Sequence, residues 1–139
     1  RSTEYLKMLL EHGADPDSRV AIQAYDMTAL FASIRKRNNL DFTRLLIEHG
    51  ADVNHQASNG DTPILDAVYG SNFPQALLLL KAGADPEVRK FASGISAIFA
   101  VRNAHERNMG HLDRGAQNKA GYLEFIEALK ARGYLEEDF

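Results

Sequence analysis

One short string of residues recurs along the chain and constrains its fold more than any other feature of the sequence. It reads Gly-Ala-Asp-Pro-Asp at 13–17, Gly-Ala-Asp-Val-Asn at 50–54 and Gly-Ala-Asp-Pro-Glu at 83–87, so the three glycines lie 37 and 33 residues apart. Before each glycine, apolar residues recur with the spacing of one face of a helix. Similarity at a fixed period of about 20 to 50 residues predicts a repeat protein, in which neighbouring units complete each other's core.

A second string separates the copies of the first and begins with a hydroxyl residue, at Thr28, Thr62 and Ser96. Thr and Ser accept hydrogen bonds from free backbone N–H groups at helix N-termini, and Pro63 suits the first position of a helix. Glycine suits the left-handed residue that ends a helix, and the Asp and Asn that follow it favour a turn. Each unit is therefore predicted to contain a turn, a first helix, a loop, a second helix and a closing glycine.

The two strings together resemble the ankyrin-repeat family, whose repeats span about 33 residues and carry the signature T-P-L-H-x-A. Residues 62–67 read Thr-Pro-Ile-Leu-Asp-Ala and match this signature best, while the other two copies have alanine in place of the proline. Phe31, Leu65 and Phe99 stand where the family has a histidine that helps to tie neighbouring repeats together, so apolar packing is expected there instead. The resemblance implies an all-α, ankyrin-like helical repeat solenoid of about 3.5 repeats that spans nearly the whole chain.

The chain is expected to form a single ankyrin-repeat domain with an atypical C-terminal repeat. The expected units are a partial repeat at 1–17 and further repeats at 18–54, 55–87 and 88–139. The last repeat carries additional residues between its two helices, over 103–120. From 108 to 121 the sequence is rich in glycine and poor in apolar residues, which predicts a loop within this inter-helix insertion.

The end of the last repeat departs from the pattern in a way that indicates a cap. Lys130 takes the position of a large aliphatic residue in the other copies. The terminal unit of a stacked repeat protein needs a polar outer face, because no further unit covers it. Lys130, Arg132 and the acidic residues at 136–138 therefore predict a C-terminal cap that faces solvent.

Composition excludes several classes of function. Sixteen Lys and Arg against nineteen Asp and Glu give a net charge of −3, so the chain lacks the basic surplus on which general binding to nucleic acid depends. No cysteine is present, which excludes disulfides and thiol catalysis. No uninterrupted apolar run exceeds five residues, far short of the roughly 20 that a membrane-spanning helix needs. The expected protein is a cytoplasmic monomer that binds neither nucleic acid nor membrane.

The sequence carries no recognisable catalytic or cofactor-binding motif. It contains neither the G-x-x-x-x-G-K-[ST] string of phosphate-binding loops nor the G-x-S-x-G string of serine hydrolases. Imidazole and carboxylate together suit zinc, and His105, His111 and Asp113 are the one such group here, but their spacing matches no familiar metal motif. We predict that the protein is not an enzyme and binds no cofactor or metal. The alternative from another class of function is a metal-dependent enzyme that uses the insertion at 105–113.

The family resemblance implies where a partner would bind. In ankyrin-like stacks, partners usually meet the turn tips and the exposed side of the first helices, which together form a concave face. The expected contacts are the polar and aromatic residues at these places: Tyr25, Arg35, Asn59, Asp66, Tyr69, Arg89, Lys90, Phe91 and Arg102. Tyr and Arg often anchor protein interfaces, and Phe91 is the strongest candidate because an aromatic residue in a basic turn has no obvious core to fill.

The predicted function is non-catalytic recognition of another protein, either as an interaction module or as an inhibitor of the immunity type that blocks a toxin or an enzyme. Self-association through the open N-terminal face is a further alternative, since half a repeat would expose the apolar side of its helix around Tyr5 and Leu9. If the insertion is functional, Arg107, His111 and Arg114 are expected to contribute contacts to the partner.

Overall fold

Seven α-helices follow one another in the computed structural model, which describes residues 2–19, 26–35, 39–106 and 116–139. The helices are α1 (Ser2–Glu11), α2 (Ala29–Arg35), α3 (Leu40–Glu48), α4 (Pro63–Tyr69), α5 (Phe73–Lys81), α6 (Ala97–Glu106) and α7 (Ala116–Ala131). Across these described ranges there is no strand, and β pairing is limited to an isolated bridge between Arg19 and Thr28. The all-α class predicted from the sequence is confirmed.

The helices stack in two layers. The inner layer consists of α2, α4 and α6, each in contact with the next, and the outer layer consists of α1, α3, α5 and α7, again each in contact with the next. Between the layers, α2 packs against α3 and α4 packs against α5, so each of these pairs is a helical hairpin. The last helix, α7, packs mainly against α5 of the preceding unit. Each unit therefore closes its apolar face against a neighbour, as a repeat protein requires.

The core lies between the two layers. Leu46 of α3 and Leu79 of α5 stand four residues before their closing glycines, and both are buried. Phe73 of α5 meets the rings of Tyr122 and Phe125 in α7 at centroid distances of 5.0 and 6.1 Å. Burying a large apolar side chain stabilises a fold by about 1.5–3 kcal/mol, so the junction of α5 and α7 is a major source of stability.

Two of the three residues at the histidine position of the ankyrin-like signature pack as expected. Phe31 and Leu65 are fully buried, and the ring of Phe31 lies edge-on to His55 of the next unit with the centroids 6.3 Å apart. The expectation is wrong at Phe99, which is 53% exposed. The unit that follows covers Phe31, whereas in the described part of the chain no unit follows that of Phe99.

The predicted helix caps form at two of three sites. The hydroxyls of Thr62 and Ser96 accept hydrogen bonds from the backbone N–H groups of Leu65 and Phe99 at 3.3 and 3.2 Å, which confirms both N-caps. The cap predicted at Thr28 is wrong. Its hydroxyl is buried without a hydrogen-bond partner among the described residues, and its backbone pairs instead with Arg19.

The closing glycines and the turns behind them join successive units. All four closing glycines are left-handed as predicted, with φ of 88°, 89°, 96° and 77° at Gly13, Gly50, Gly83 and Gly133. The side chain of Asp17 accepts a hydrogen bond from the N–H of Asp52 at 2.8 Å, and that of Asn54 accepts one from the N–H of Asp85 at 2.7 Å. These exit turns form a hydrogen-bonded chain along the stack, outside the core.

The helix α7 begins earlier than the sequence predicts. The loop predicted over 108–121 is wrong from Ala116 onward, because α7 starts there and Gly121 lies inside it. A Cβ atom at Gly121 would lie 3.1 Å from Cδ of Pro74, so the glycine allows α7 to approach the start of α5 closely. Close helix packing, not a turn, accounts for this glycine. The rest of the insertion, 107–115, lies outside the described residues.

The C-terminal tail, residues 134–139, folds back over the last unit. The side chain of Lys130, expected on an exposed cap, is only 15% exposed, and its Nζ donates a hydrogen bond to the carbonyl of Glu137 at 3.1 Å. Leu135 is buried, and the ring of Phe139 lies 4.4 Å from that of His105 in α6. The prediction for Lys130 is therefore wrong, because the tail bridges α6 and α7 and covers this side chain.

Candidate protein-binding surface

We call the exposed side of α2, α4 and α6, together with the turn tips at 55–61 and 89–95, the inner surface. Eight of the nine predicted contact residues lie on these elements: Arg35, Asn59, Asp66, Tyr69, Arg89, Lys90, Phe91 and Arg102. The ninth, Tyr25, lies outside the described residues. The eight fall into two groups, one fixed by contacts within the chain and one with side chains open to solvent.

Hydrogen bonds hold the two turn tips together. The backbone N–H of Lys90 donates to the carbonyl of Ile95 at 2.9 Å and closes the second tip. Gln56 of the first tip links the two, since its Nε2 donates to the carbonyls of Gly60 and Arg89 at 3.0 and 2.9 Å. The tips therefore form one connected edge of the inner surface.

Asn59 and Lys90 both contact the carboxylate of Asp61. The side-chain amide of Asn59 donates to Oδ2 of Asp61 at 2.6 Å, and its carbonyl oxygen accepts a hydrogen bond from the N–H of Asp61 at 3.0 Å. Nζ of Lys90 lies 2.9 Å from Oδ1 of the same carboxylate, which is largely buried. Removing one partner of a shielded ion pair is costly, because it leaves an uncompensated charge behind. Asn59 and Lys90 therefore shape the tips.

Arg35 and Asp66 join neighbouring inner helices. The guanidinium of Arg35 in α2 donates two hydrogen bonds to the carboxylate of Asp66 in α4, at 2.8 and 3.1 Å. Bidentate pairing of this kind is both stronger and more directional than a single contact. The hydrogen bond to Asp66 raises the pKa of Arg35 above its usual value. The pair stiffens the middle of the inner surface.

Arg102 faces the C-terminal tail. Its Nη2 lies 2.9 Å from Oε2 of Glu136 and donates more weakly to the carbonyl of Tyr134 at 3.4 Å. The same hydrogen bonding holds the pKa of the Glu136 carboxyl below its usual range. Arg102 was predicted as a contact for a partner, and its first role in the structure is to fasten the tail to α6.

Three aromatic side chains stay open to solvent on the inner surface. Tyr69 at the end of α4 is 56% exposed, and Phe91 at the second tip is 69% exposed. Arg89 beside it is exposed, and its side chain makes no hydrogen bond or ion pair within the described residues. Phe99 in the first turn of α6 is also open to solvent, although the sequence assigned it to apolar packing.

Gly60 supports the exposed ring of Phe91. The backbone of Gly60 is left-handed, with φ of 84°, and a Cβ atom there would overlap the backbone nitrogen of Phe91 and lie 3.1 Å from Cγ of its ring. Left-handed backbone favours glycine, and the close approach admits no larger residue. The first tip therefore packs closely against Phe91 and fixes the position of its ring.

Neither metal ligands nor a membrane-spanning helix can be identified in the described residues. No group of three or more His, Asp or Glu side chains there is arranged to hold a metal ion. Of the three residues considered as metal ligands, His105 packs on Phe139, while His111 and Asp113 lie outside the described residues. Within the same ranges, no helix is both long and apolar enough to cross a bilayer.

The family model, the sequence relative and the solved structure that match this chain all indicate the same family. The family model described as ankyrin repeats (3 copies) matches residues 1–90. The ANK repeat-containing protein nipk-1 of Caenorhabditis elegans is 34% identical over 106 residues, which cover 68% of this chain and 17% of that protein. The crystal structure of the ankyrin repeat domain of Bcl-3, a unique member of the IkappaB protein family, matches with a TM-score of 0.61 at 26% identity.

The Bcl-3 match covers 68% of this chain and 40% of the Bcl-3 chain, so this chain spans well under two thirds of both relatives. The family match covers more than half of the chain and includes the three copies of the Gly-Ala-Asp string. Ankyrin repeats in general are modules for protein–protein interaction. With its recurring strings, stacked helical hairpins and these relatives, this chain belongs to the ankyrin-repeat family.

Proposed function

We propose that this protein binds another protein through the inner surface and catalyses no reaction. The observation that carries the proposal is the contrast on that surface between exposed rings and internally paired charges. Tyr69, Phe91 and Phe99 are each more than half exposed, although an aromatic side chain gains much free energy by burial. Exposed aromatic residues are typical anchors of protein interfaces.

The paired residues support the same function in a different way. Arg35 is paired with Asp66, and Lys90 with Asp61, by contacts within the chain. A surface that is ordered before binding loses less conformational entropy when the complex forms. We assign these four residues, with Asn59 and Arg102, to positioning, and Tyr69, Arg89, Phe91 and Phe99 to direct contact. Tyr25 stays a proposed contact from the sequence alone.

Affinity capture with matched variants tests this assignment. Wild-type protein, immobilised and exposed to an extract of the cells that express it, retains a partner that mass spectrometry identifies and quantifies. We expect the triple variant Tyr69→Ser, Phe91→Ser, Phe99→Ser to retain at least about tenfold less of that partner, because it removes the exposed anchors. The control variant Tyr5→Ser, Met8→Ser changes exposed side chains of α1, in the outer layer, and should retain as much as wild type.

The proposal fails if the triple variant retains the same partner in the same amount while circular dichroism and melting show both variants folded. Reduced retention by the α1 variant alone would instead favour association through the N-terminal face. The cytoplasmic location and monomeric state expected from the sequence are separate proposals, which imaging of the tagged protein and light scattering test.

A further inference from the structure

Four positions can be compared between the outer helices, nine, six, five and two residues before each closing glycine. This spacing places all four on one face of a helix, and in α1 and α3 that face is exposed except at the half-buried Leu45. The residues are Glu4, Lys7, Met8 and Glu11 in α1; Asp41, Arg44, Leu45 and Glu48 in α3; Pro74, Leu77, Leu78 and Lys81 in α5; and Glu124, Glu127, Ala128 and Ala131 in α7.

The helix α5 departs from the pattern of α1 and α3. Those two helices carry a carboxylate at the first and last of the four positions and a cation at the second, as expected for a solvated face. In α5 the first position is Pro74, the second is Leu77, and the last is Lys81, so the carboxylates are gone and the charge at the end is reversed. Leu77 is buried and Pro74 and Leu78 are half-buried, so this face of α5 is apolar and only partly covered by its neighbours. An apolar face that still meets solvent is typical of a binding surface.

The apolar stripe of α5 forms the floor of a groove with a volume of about 330 Å³. Leu40 and Arg44 of α3 line one wall, and Gly121 and Glu124 of α7 line the other. Gly121 brings α7 against Pro74 and narrows one end of the groove. The nine residues of α5 give the groove a length of about 13 Å, at roughly 1.5 Å per residue.

The charges around the groove are unevenly placed. Arg44 and Lys81 are exposed, and neither side chain makes a hydrogen bond or ion pair with another described residue. Glu124 is the one carboxylate in the lining, and it lies on the opposite wall from Arg44. The groove therefore offers an apolar floor, two unpaired cations and a single anion across from one of them.

We infer that this groove binds an amphipathic helix of a partner protein, at a site separate from the inner surface. Its aliphatic residues would lie on Leu77 and Leu78, with acidic residues toward Arg44 and Lys81. A floor with residues at i, i+3, i+4 and i+7 matches the spacing by which a helix presents anchors to a groove. The charge arrangement selects a helix with carboxylates along one edge of its apolar stripe.

Two synthetic amphipathic helices serve as probes. Both carry the same leucine stripe, and one has glutamate along its edges where the other has lysine. We expect the acidic peptide to bind at least about tenfold more tightly in calorimetry, with amide shifts of the isotope-labelled protein confined to α3, α5 and α7. The variant Lys81→Glu, which gives α5 the residue that α1 and α3 carry there, should weaken binding about tenfold or more.

The matched control is Met8→Glu, which adds the same charge at an outward position of α1. It should leave the affinity for the acidic peptide unchanged, and melting curves check that both variants fold. The inference is overturned if the two peptides bind equally, or if Lys81→Glu changes nothing. Binding of decanoate without binding of either peptide overturns it in favour of a small amphiphile. Shifts on α2, α4 and α6 would overturn it while supporting the proposed function.

Discussion

Arg35 and Asp66 hold each other across two inner helices, and Lys90 and Asp61 do the same at the turn tips. At the scale of single residues, these pairs decide which side chains are available to a partner. A charge that is already paired contributes little new attraction, so recognition falls to the open groups, chiefly Phe91 and its neighbours.

Gly60 provides a test of how the ring of Phe91 is held. Substitution by alanine in left-handed backbone costs about 1–2 kcal/mol, and at Gly60 the overlap with Phe91 adds to that cost. We expect Gly60→Ala to lower the free energy of unfolding by roughly 2–4 kcal/mol in a denaturant titration. The matched control is Gly94→Ala, where φ is 66° and a Cβ atom meets nothing within 4 Å. Equal losses in the two variants would show that Phe91 is not seated against Gly60.

The sequence predicts the types of these residues better than their contacts. The turn tips and first helices followed from the repeat pattern, which placed Arg35, Lys90 and Phe91 on the expected elements. The pairing of Arg35 with Asp66 could not be predicted, because the two residues are 31 positions apart and meet only when two units stack. Long-range pairing depends on the relative placement of helices, and residue patterns within one unit do not contain that information.

At the scale of elements, the last unit differs most from the others. The glycine-rich and apolar-poor composition of 108–121 predicted a loop around Gly121. The contact that explains this glycine is with Pro74, which lies in another unit, so the local composition could not indicate it. The same holds for the tail, whose acidic residues suggested a solvated end while Leu135 and Phe139 pack inward. Elements bounded by local signals, such as α4 after its Thr62 cap, were predictable, and elements bounded by packing were not.

The tail gives a pH-dependent prediction. The hydrogen bond from Arg102 makes the pKa of Glu136 lower in the folded state than in the unfolded chain. This contact therefore stabilises the fold at neutral pH, and its contribution is lost as the pH falls through the folded-state pKa. We expect Glu136→Gln to melt slightly below wild type at neutral pH, and the gap to narrow as the pH falls below the ordinary glutamate pKa of about 4.3.

Glu137→Gln is the matched control for the tail, since Glu137 contacts Lys130 through its backbone carbonyl and not through its carboxylate. Its melting temperature should follow that of wild type across the same pH range. A gap for Glu136→Gln that persists in acid would show that its effect does not come from the ion pair with Arg102.

At the scale of the whole molecule, the stack presents two different surfaces. The inner surface carries exposed rings among paired charges, and the groove over α5 carries an apolar floor beside unpaired cations. A repeat protein can present two such surfaces because its units place helices in both the inner and the outer layer. The family was evident from the sequence because the strings that define each unit are short and contiguous in the chain.

Photo-crosslinking from position 91 tests the central proposal most directly. Phe91 is replaced by p-benzoylphenylalanine, which keeps an aromatic ring at the tip and bonds covalently to a molecule in contact with it on irradiation. The same analogue at Tyr5, an exposed aromatic residue on α1, is the control. We predict a crosslink to the captured partner from position 91 and none from position 5. A crosslink from position 5 with none from position 91 would contradict the assignment of the inner surface as the binding site.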